Sequence, residues 1–515
     1  MTARPIRLLK GIFTVGVWTM ASRILGFVRD IMIAAFLGSG PVAEAFLVAF
    51  SLPNMFRRFF AEGAFNMAFV PMFSKKVEGD EEALEFARDA FSGLAAFLIV
   101  FTLIAMAAMP WLVLAMASGF KGDERFDLAV LYGRIAFPYI LFISLAALLS
   151  GVLNTLGRFA AAAAAPVLLN MLFVGAMVLA DMQGWPIGGA LAWAVPFAGV
   201  AQLILVWIAA DRAGFRLIPR APKLTPELRR LAIIAGPAII AGGVMQVNLL
   251  VGRQVASFFD GAVAWLAYAD RLYQLPLGVV GIAIGVVLLP DLSRKLRGGD
   301  TEGGRYAFSR AGEISLALTI PAAVALLVIP IPLISVLFGR GAFGADDVAA
   351  TALAVAVYGA GLPAFVLQKV LQPLYFARED TRTPLRFALV AMVVNAVIAI
   401  GLAPVIGYIA AAIGTTFAGW AMAWLLWRGV RDMGEAATPD DRFRKRIWRI
   451  VAASLVMGVV LWASVLTLSP FLGEGGVRYA ALAILVGIGI VSYATAGHLF
   501  GAFKISEFRS ALRRG

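Results

Sequence analysis

Seven cations stand inside stretches that are otherwise apolar enough to cross a bilayer: Arg23, Arg29, Arg57, Arg58, Arg253, Arg271 and Lys369. A charge near the middle of a spanning helix costs about 2.5–3.5 kcal/mol on insertion scales, so it persists where it faces water or a partner. The first group reads Ser22-Arg-Ile-Leu-Gly-Phe-Val-Arg-Asp30. At helical spacing Arg23, Gly26 and Asp30 share a face, and Arg29 points elsewhere. The second follows Glu44 and reads Pro53-Asn-Met-Phe-Arg-Arg-Phe-Phe-Ala-Glu-Gly63. Pro53 predicts a kink, and Arg58 with Glu62 is an i,i+4 pair of opposite sign. The third reads Tyr268-Ala-Asp-Arg-Leu-Tyr-Gln-Leu-Pro276. Local pairing of Arg29 with Asp30 or Glu44, Arg58 with Glu62 and Arg271 with Asp270 absorbs part of the charge. The acids are fewer than the cations, and a cationic surplus in low dielectric calls for a visiting anion. Arginine in place of lysine suits a planar, bidentate partner such as phosphate. Arg23, Arg57 and Arg271 are the expected anion contacts.

The elements holding these residues are written in the hydropathy. The chain has 515 residues, 61% of them hydrophobic, with a mean hydropathy of +0.88. Apolar runs of roughly 20 residues recur from end to end, each long enough for a hydrocarbon core of about 30 Å. The spacing predicts an all-α polytopic membrane protein with about fourteen spans. These lie near 11–37, 41–73, 88–117, 127–155, 160–180, 187–210 and 229–256 in the first half. They continue near 262–292, 307–337, 347–376, 385–404, 408–428, 447–469 and 477–502. Arg4, Arg7 and Lys10 resemble a signal-peptide start, but the apolar run lacks a small-residue exit and contains Arg23, so it reads as the first helix.

The loops orient the chain. Basic residues crowd one set: Lys75 and Lys76, Arg158, Arg212 to Arg230, Arg294 to Arg305, Arg378 to Arg386, and Arg428 to Arg449. The alternate loops hold only Lys121, Arg125, Arg340 and Arg478. The positive-inside rule then places both termini in the cytoplasm. The net charge of +13 therefore faces the cytoplasm and anionic lipid, and nucleic acid is not an expected partner.

A repeat runs through the chain. Phe69-Val-Pro-Met-Phe-Ser-Lys-Lys76 matches Leu288-Leu-Pro-Asp-Leu-Ser-Arg-Lys295; Pro138 aligns with Pro363, and Asn170 with Asn395. The division is 1–220 and 221–440 as two six-helix lobes, related by a pseudo-twofold along the membrane normal, with 441–515 as two added helices and a tail. Two such lobes around a cavity are the plan of an alternating-access transporter. Catalysis has no carrier here: there is no cysteine, His498 is the only histidine, and no metal, nucleophile or phosphate-loop constellation is present. No cofactor is expected. Asn248 and Asn395 are weak candidates for an ion site.

The strings Ser22 to Asp30, Ala45-Phe46, Leu52-Pro-Asn54 and Arg57 to Phe65 resemble the MurJ/MviN family, as do Tyr268 to Leu272, Leu289-Pro290 and Asp380-Thr-Arg-Thr-Pro384. The resemblance spans essentially the whole chain. It implies a lipid II flippase of the multidrug/oligosaccharidyl-lipid/polysaccharide exporter superfamily. Such a protein moves the undecaprenyl-pyrophosphate-linked peptidoglycan precursor to the periplasmic leaflet of the bacterial inner membrane. Its partners are then lipid II, membrane lipids and, as a further candidate, the cell-wall synthesis machinery. The family's cavity arginines fall on Arg23, Arg29, Arg57 and Arg271, and its cavity acid on Glu44. Ser51 and Gln274 depart from the lysine and glutamate that family members often carry. The added helix pair would form an apolar groove for the lipid tail, while Asp30, Glu44 and Glu62 would help close an outward gate. Arg58 and Asp270 are expected as charge partners. The alternatives are a flippase for another polyprenyl-diphosphate oligosaccharide, a cation-coupled drug exporter with an acidic cavity, and a non-transporting scaffold.

Overall fold

A backbone out of water must satisfy its own N–H and C=O groups, and a helix does so within one segment. The computed structural model describes residues 4–58, 64–79, 82–223, 225–283, 289–473 and 475–503. Side chains are described within these ranges except at 4–13, 64–67, 235–249, 279–283, 289–290 and 297. Among the described residues the chain is helical, with no β-strand.

By proximity the chain divides into Met1–Ala264 and Trp265–Gly515. The first unit contains α1 (Arg4–Leu37), α2 (Pro41–Arg57), α3 (Ala64–Glu78), α4 (Ala83–Ala107) and α5 (Met109–Met116). It continues with α6 (Glu124–Ala136), α7 (Tyr139–Thr155), α8 (Ala160–Gln183), α9 (Ile187–Asp211) and α10 (Pro226–Ala256), and α11 (Ala262–Ala283) begins at its edge. The second unit adds α12 (Leu289–Arg297), α13 (Thr301–Val328), α14 (Pro330–Leu337) and α15 (Ala345–Phe376). It closes with α16 (Arg382–Ile406), α17 (Ile409–Val430), α18 (Asp441–Leu472) and α19 (Val477–Leu499). The sequence repeat divides at 220, whereas the proximity boundary lies later because α10 packs on α3, α4 and α5.

Three expected spans are each two helices. The run 88–117 breaks at Ala108 ahead of Pro110, 127–155 at Phe137–Pro138, and 307–337 at Ile329 ahead of Pro330. Proline lacks the amide donor and crowds the preceding turn, so the ladder stops there. The expected helix 41–73 is α2 and α3, with 59–63 outside the description; 262–292 is α11 and α12, with 284–288 outside it. Ten stretches among the described residues are long and apolar enough to cross a membrane. The expected spans outside that set are 11–37, 41–73, 229–256 and 262–292, each of which includes residues or side chains not described. These four carry Arg23 and Arg29, Arg57 and Arg58, Arg253, and Arg271.

In the first unit α1 lies along α8, α8 and α7 along α9, and α2 along α6. Phe46 and Phe50 of α2 close around Phe173 of α8, with ring centroids 6.2 and 5.2 Å away. In the second unit α15 is flanked by α13 and α17. Val366, Val370, Leu371 and Leu374 pack on Met422 and Leu426, and the Tyr375 hydroxyl donates to the Leu426 carbonyl at 2.8 Å. Helix α18 packs on both α13 and α19.

The turn after α15 holds Glu379 at φ 62°, the single non-glycine with positive φ among the described residues. The Asp380 amide reaches back to the Tyr375 carbonyl at 3.1 Å, closing the helix in the manner usually served by glycine. A side chain in this left-handed region costs about 1–2 kcal/mol. Glu379→Gly should therefore stabilise the purified protein by about 1 kcal/mol in thermal unfolding, after the entropy glycine adds to the unfolded chain. An unchanged or lowered midpoint would contradict this.

Candidate functional site

Helix α1 packs along α8 and is held there by one shared amide. Asn170 of α8 donates to the Ser22 carbonyl at 2.9 Å and accepts from Arg29 Nη1 at 2.9 Å, so it grips α1 at two points about two turns apart. Arg29 also donates to Asp30 from Nε at 3.0 Å and from Nη2 at 2.8 Å, and its guanidinium lies 5.5 Å from the Phe173 ring. Arg29 and Asp30 are 6% and 7% exposed. Of the two acids expected beside Arg29, Asp30 takes it. Arg29 is a buried residue of the α1–α8 seam. Arg23 is exposed and has no hydrogen-bond or ion-pair partner among the described residues.

Glu44 pairs elsewhere. It is 1% exposed and accepts from Arg125 Nη1 at 3.0 Å and from the Val263 amide at the start of α11 at 3.0 Å. Arg125 further donates to Asp123 from Nε at 2.8 Å and from Nη2 at 2.6 Å. It lies 3.1 Å from Asp260 and 4.6 Å from the Phe120 ring. Asp123 is the N-cap of α6 and also accepts the Arg125 amide. Burial opposes its charge, but hydrogen bonds from the Arg125 side chain and amide outweigh it and hold its carboxyl below the usual aspartate range. The same corner is stitched by Ser118 N–H to Gln254 Oε1 at 2.7 Å, Gln254 Nε2 to the Leu114 carbonyl at 3.1 Å, and Gly119 N–H to Ser257 Oγ at 3.0 Å. A Cβ on Gly119 would lie 2.5 Å from the Ser257 carbonyl, so this approach requires glycine. From sequence alone Arg125 is one of four cations in the outer loops. The available signal was its spacing from Asp123 within the charged run Lys121 to Asp127.

Arg57 ends α2 half-buried, and Arg58 caps it exposed; Glu62 lies outside the described residues. Asp270 on α11 accepts from Gln274 one turn on. Arg271 is exposed and belongs to the second unit. Tyr273 meets Tyr358 and Phe365 of α15 at 5.2 and 5.8 Å, and Lys369, one turn beyond Phe365, is exposed. Arg253 is half-buried near the end of α10. The Asn248 side chain is not described; Asn395 is buried on α16.

Sequence reasoning also missed a cluster that fixes α18. Glu313 Oε2 of α13 receives Arg310 at 2.6 Å, Arg446 at 3.4 Å and Arg442 at 3.5 Å. Arg310 also pairs with Asp440, which caps α18 through the Phe443 amide. An open apolar groove of about 620 Å³ lies along α19, with Val456 of α18 at its edge.

The family model for the lipid II flippase MurJ matches residues 33–479. A probable lipid II flippase MurJ of Rhizobium tropici is 42% identical, over 98% of this chain and 97% of its own length. One from Vibrio cholerae is 35% identical over 98% of each. The fold is similar to that of a lipid II flippase MurJ in an inward closed conformation, with TM-score 0.79, 24% identity and coverage of 94% of this chain and 98% of the other. It is also similar to that of an inward-facing MATE family multidrug resistance transporter, with TM-score 0.69, 16% identity and coverage of 83% and 99%.

The buried pair around Glu44 is open to a direct test. Arg125→Met would leave Glu44 charged and unpaired in the interior, a loss of about 3–5 kcal/mol. Thermal unfolding should show that loss for the single variant and a partial recovery when Glu44→Gln is added. A loss below about 1 kcal/mol would make the pair no better than a surface ion pair.

Proposed function

The chain belongs to the lipid II flippase MurJ family, and we propose that it carries lipid II from the cytoplasmic to the periplasmic leaflet by alternating access. The observation that carries this reading is the family match over residues 33–479, which takes in α2 with Arg57 and α11 with Arg271. It is then a multi-pass protein of the bacterial inner membrane, with both termini on the basic, cytoplasmic side. Transport needs no covalent chemistry by the protein, and the relatives are named as flippases. Lipid II is the proposed cargo, with the cell-wall synthesis machinery as a proposed partner.

In this reading Arg23, Arg57 and Arg271 hold the diphosphate. A guanidinium offers that group two parallel donors, and a low-dielectric cavity strengthens them. The polyprenyl tail stays in lipid, so only the charged, sugar-bearing headgroup requires a polar path. Arg23 supports the assignment because it is exposed without a partner among the described residues. Arg29 receives a different part: bound to Asp30 and Asn170, it fixes the helix that presents Arg23. Glu44 joins the proposed outward gate through Arg125 and the start of α11. Asp30 then acts through Arg29, while Arg58, Glu62 and Asp270 remain proposed charge partners.

Substitution separates the two kinds of arginine. Arg23→Ala, Arg57→Ala and Arg271→Ala should each fail to support growth of a strain depleted of its own flippase, at normal membrane protein levels, with lipid II accumulating in the inner leaflet. Arg29→Ala should fail with reduced protein level, because it opens the α1–α8 seam. Growth with all three of the first set would overturn the diphosphate assignment; accumulation of a different lipid-linked precursor would overturn the cargo.

A further inference from the structure

Two of the outer-loop cations, Arg340 and Arg478, meet at one aromatic ring in the second unit. Arg340 follows α14 and Arg478 opens α19, with guanidiniums 5.6 and 5.1 Å from the Tyr479 ring. Arg340 Nη2 donates to the Val336 and Leu337 carbonyls at 2.8 and 2.7 Å, which closes the end of α14. Arg478 donates from Nη1 to the Gly339 carbonyl at 3.0 Å and from Nη2 to the Tyr479 hydroxyl at 3.2 Å. A guanidinium carries more N–H donors than these bonds use, and the Nε of each is buried with no acceptor among the described residues. Neither arginine forms an ion pair among those residues. Asp347 is taken by Trp265 Nε1 at 2.8 Å and by the Gly344 amide at 3.0 Å. Glu474, the acid of the α18–α19 turn, lies outside the description. The α5–α6 turn of the first unit makes the contrast, since Arg125 there meets Glu44, Asp123 and Asp260. Arg478 is further disfavoured by its place in the first turn of α19, where no acid stands and a cation opposes the helix dipole. Two like charges around one ring also repel. An anion shared by both guanidiniums relieves each of these costs.

We infer that Arg340, Arg478 and Tyr479 form a phosphate-binding site at the outer edge of the membrane. The site goes beyond the flippase reading and takes from it only the orientation. Helices α18 and α19 are both long and apolar enough to span, so the turn joining them lies at a membrane surface. The proposed cytoplasmic termini make that surface the outer one, at the level of its lipid phosphates. Phosphate fits better than carboxylate because its tetrahedral oxygens can take a donor pair from each arginine, whereas one guanidinium already fills the two oxygens of a carboxylate. Tyr479 is 46% exposed, so the ring that gathers the two arginines is reached from outside. The phosphate can come from a phospholipid headgroup or from the free anion, and the two sources are separable.

The test uses full-length, delipidated protein in detergent, with bound phosphatidylglycerol and bound inorganic phosphate counted by native mass spectrometry. Arg478→Gln should raise about tenfold the concentration that fills one of the wild-type sites, the loss expected for charged hydrogen bonds. Arg478→Lys keeps the charge without the planar fork and should raise it about threefold, and its unfolding midpoint shows that the α14–α19 contact survives. A site filled by phosphatidylglycerol and not emptied by millimolar inorganic phosphate has a lipid headgroup as its source; one filled by inorganic phosphate alone takes the free anion. Unchanged binding of both probes in both variants would overturn the inference. Phosphate binding that appears only after Glu474→Gln would overturn it too, because that carboxylate would then be the arginines' own partner. Binding is read without growth, so failure here and failure of the flippase reading are told apart.

Discussion

Charge removed from water has to be neutralised by a partner or returned to a wet surface, and this constraint separates Arg29 and Arg125 from Arg23. Arg29 and Arg125 take the first solution. Each lies against an aromatic ring and donates to a buried carboxylate, and each bridges segments distant in sequence. Arg23 takes the second. The buried pairs cost desolvation and give registry in return, since a carboxylate shared by several donors admits only one arrangement of the helices bearing them. Glu313 repeats the device in the second unit, where three arginines from two helices meet one carboxylate oxygen.

Much of the fold was legible because spanning helices are specified by the length of apolar runs, which a single sequence displays in full. Breaks within those runs were harder to place. Pro53 and Pro166 sit inside continuous helices, whereas Pro110 and Pro330 begin new ones. Proline tolerance depends on neighbours that re-satisfy the freed carbonyl, and neighbours are not written locally.

The candidate site divides along the same line. That arginines would matter followed from their cost in hydrocarbon, a local property. Which acid each would take did not: Arg29 had Asp30 and Glu44 as equal prospects, and the choice is made by α8 through Asn170 and by α6 through Arg125. Arg125 was hidden by its place in a short outer loop, where a cation is ordinarily solvated. Its burial comes from Glu44, Asp123 and the Phe120 ring, with Asp260 alongside. The packing of α10 on α3, α4 and α5 likewise records docking, which a repeat in sequence does not encode.

Arg23 and Arg29 lie six residues apart, about 9 Å along α1, and reach opposite fates. The Asn170 amide spans that interval, holding Ser22 on one side and Arg29 on the other, with Gly26 between them against the same amide. The side chain next to the first grip is the exposed one. A cation that is to meet a mobile anion gains most when its backbone is already fixed, because less freedom is then lost on contact. In the proposed reading the buried arginine therefore serves the exposed one. Loss of either would then silence the same helix, one by removing the proposed contact and the other by releasing the strut that aims it.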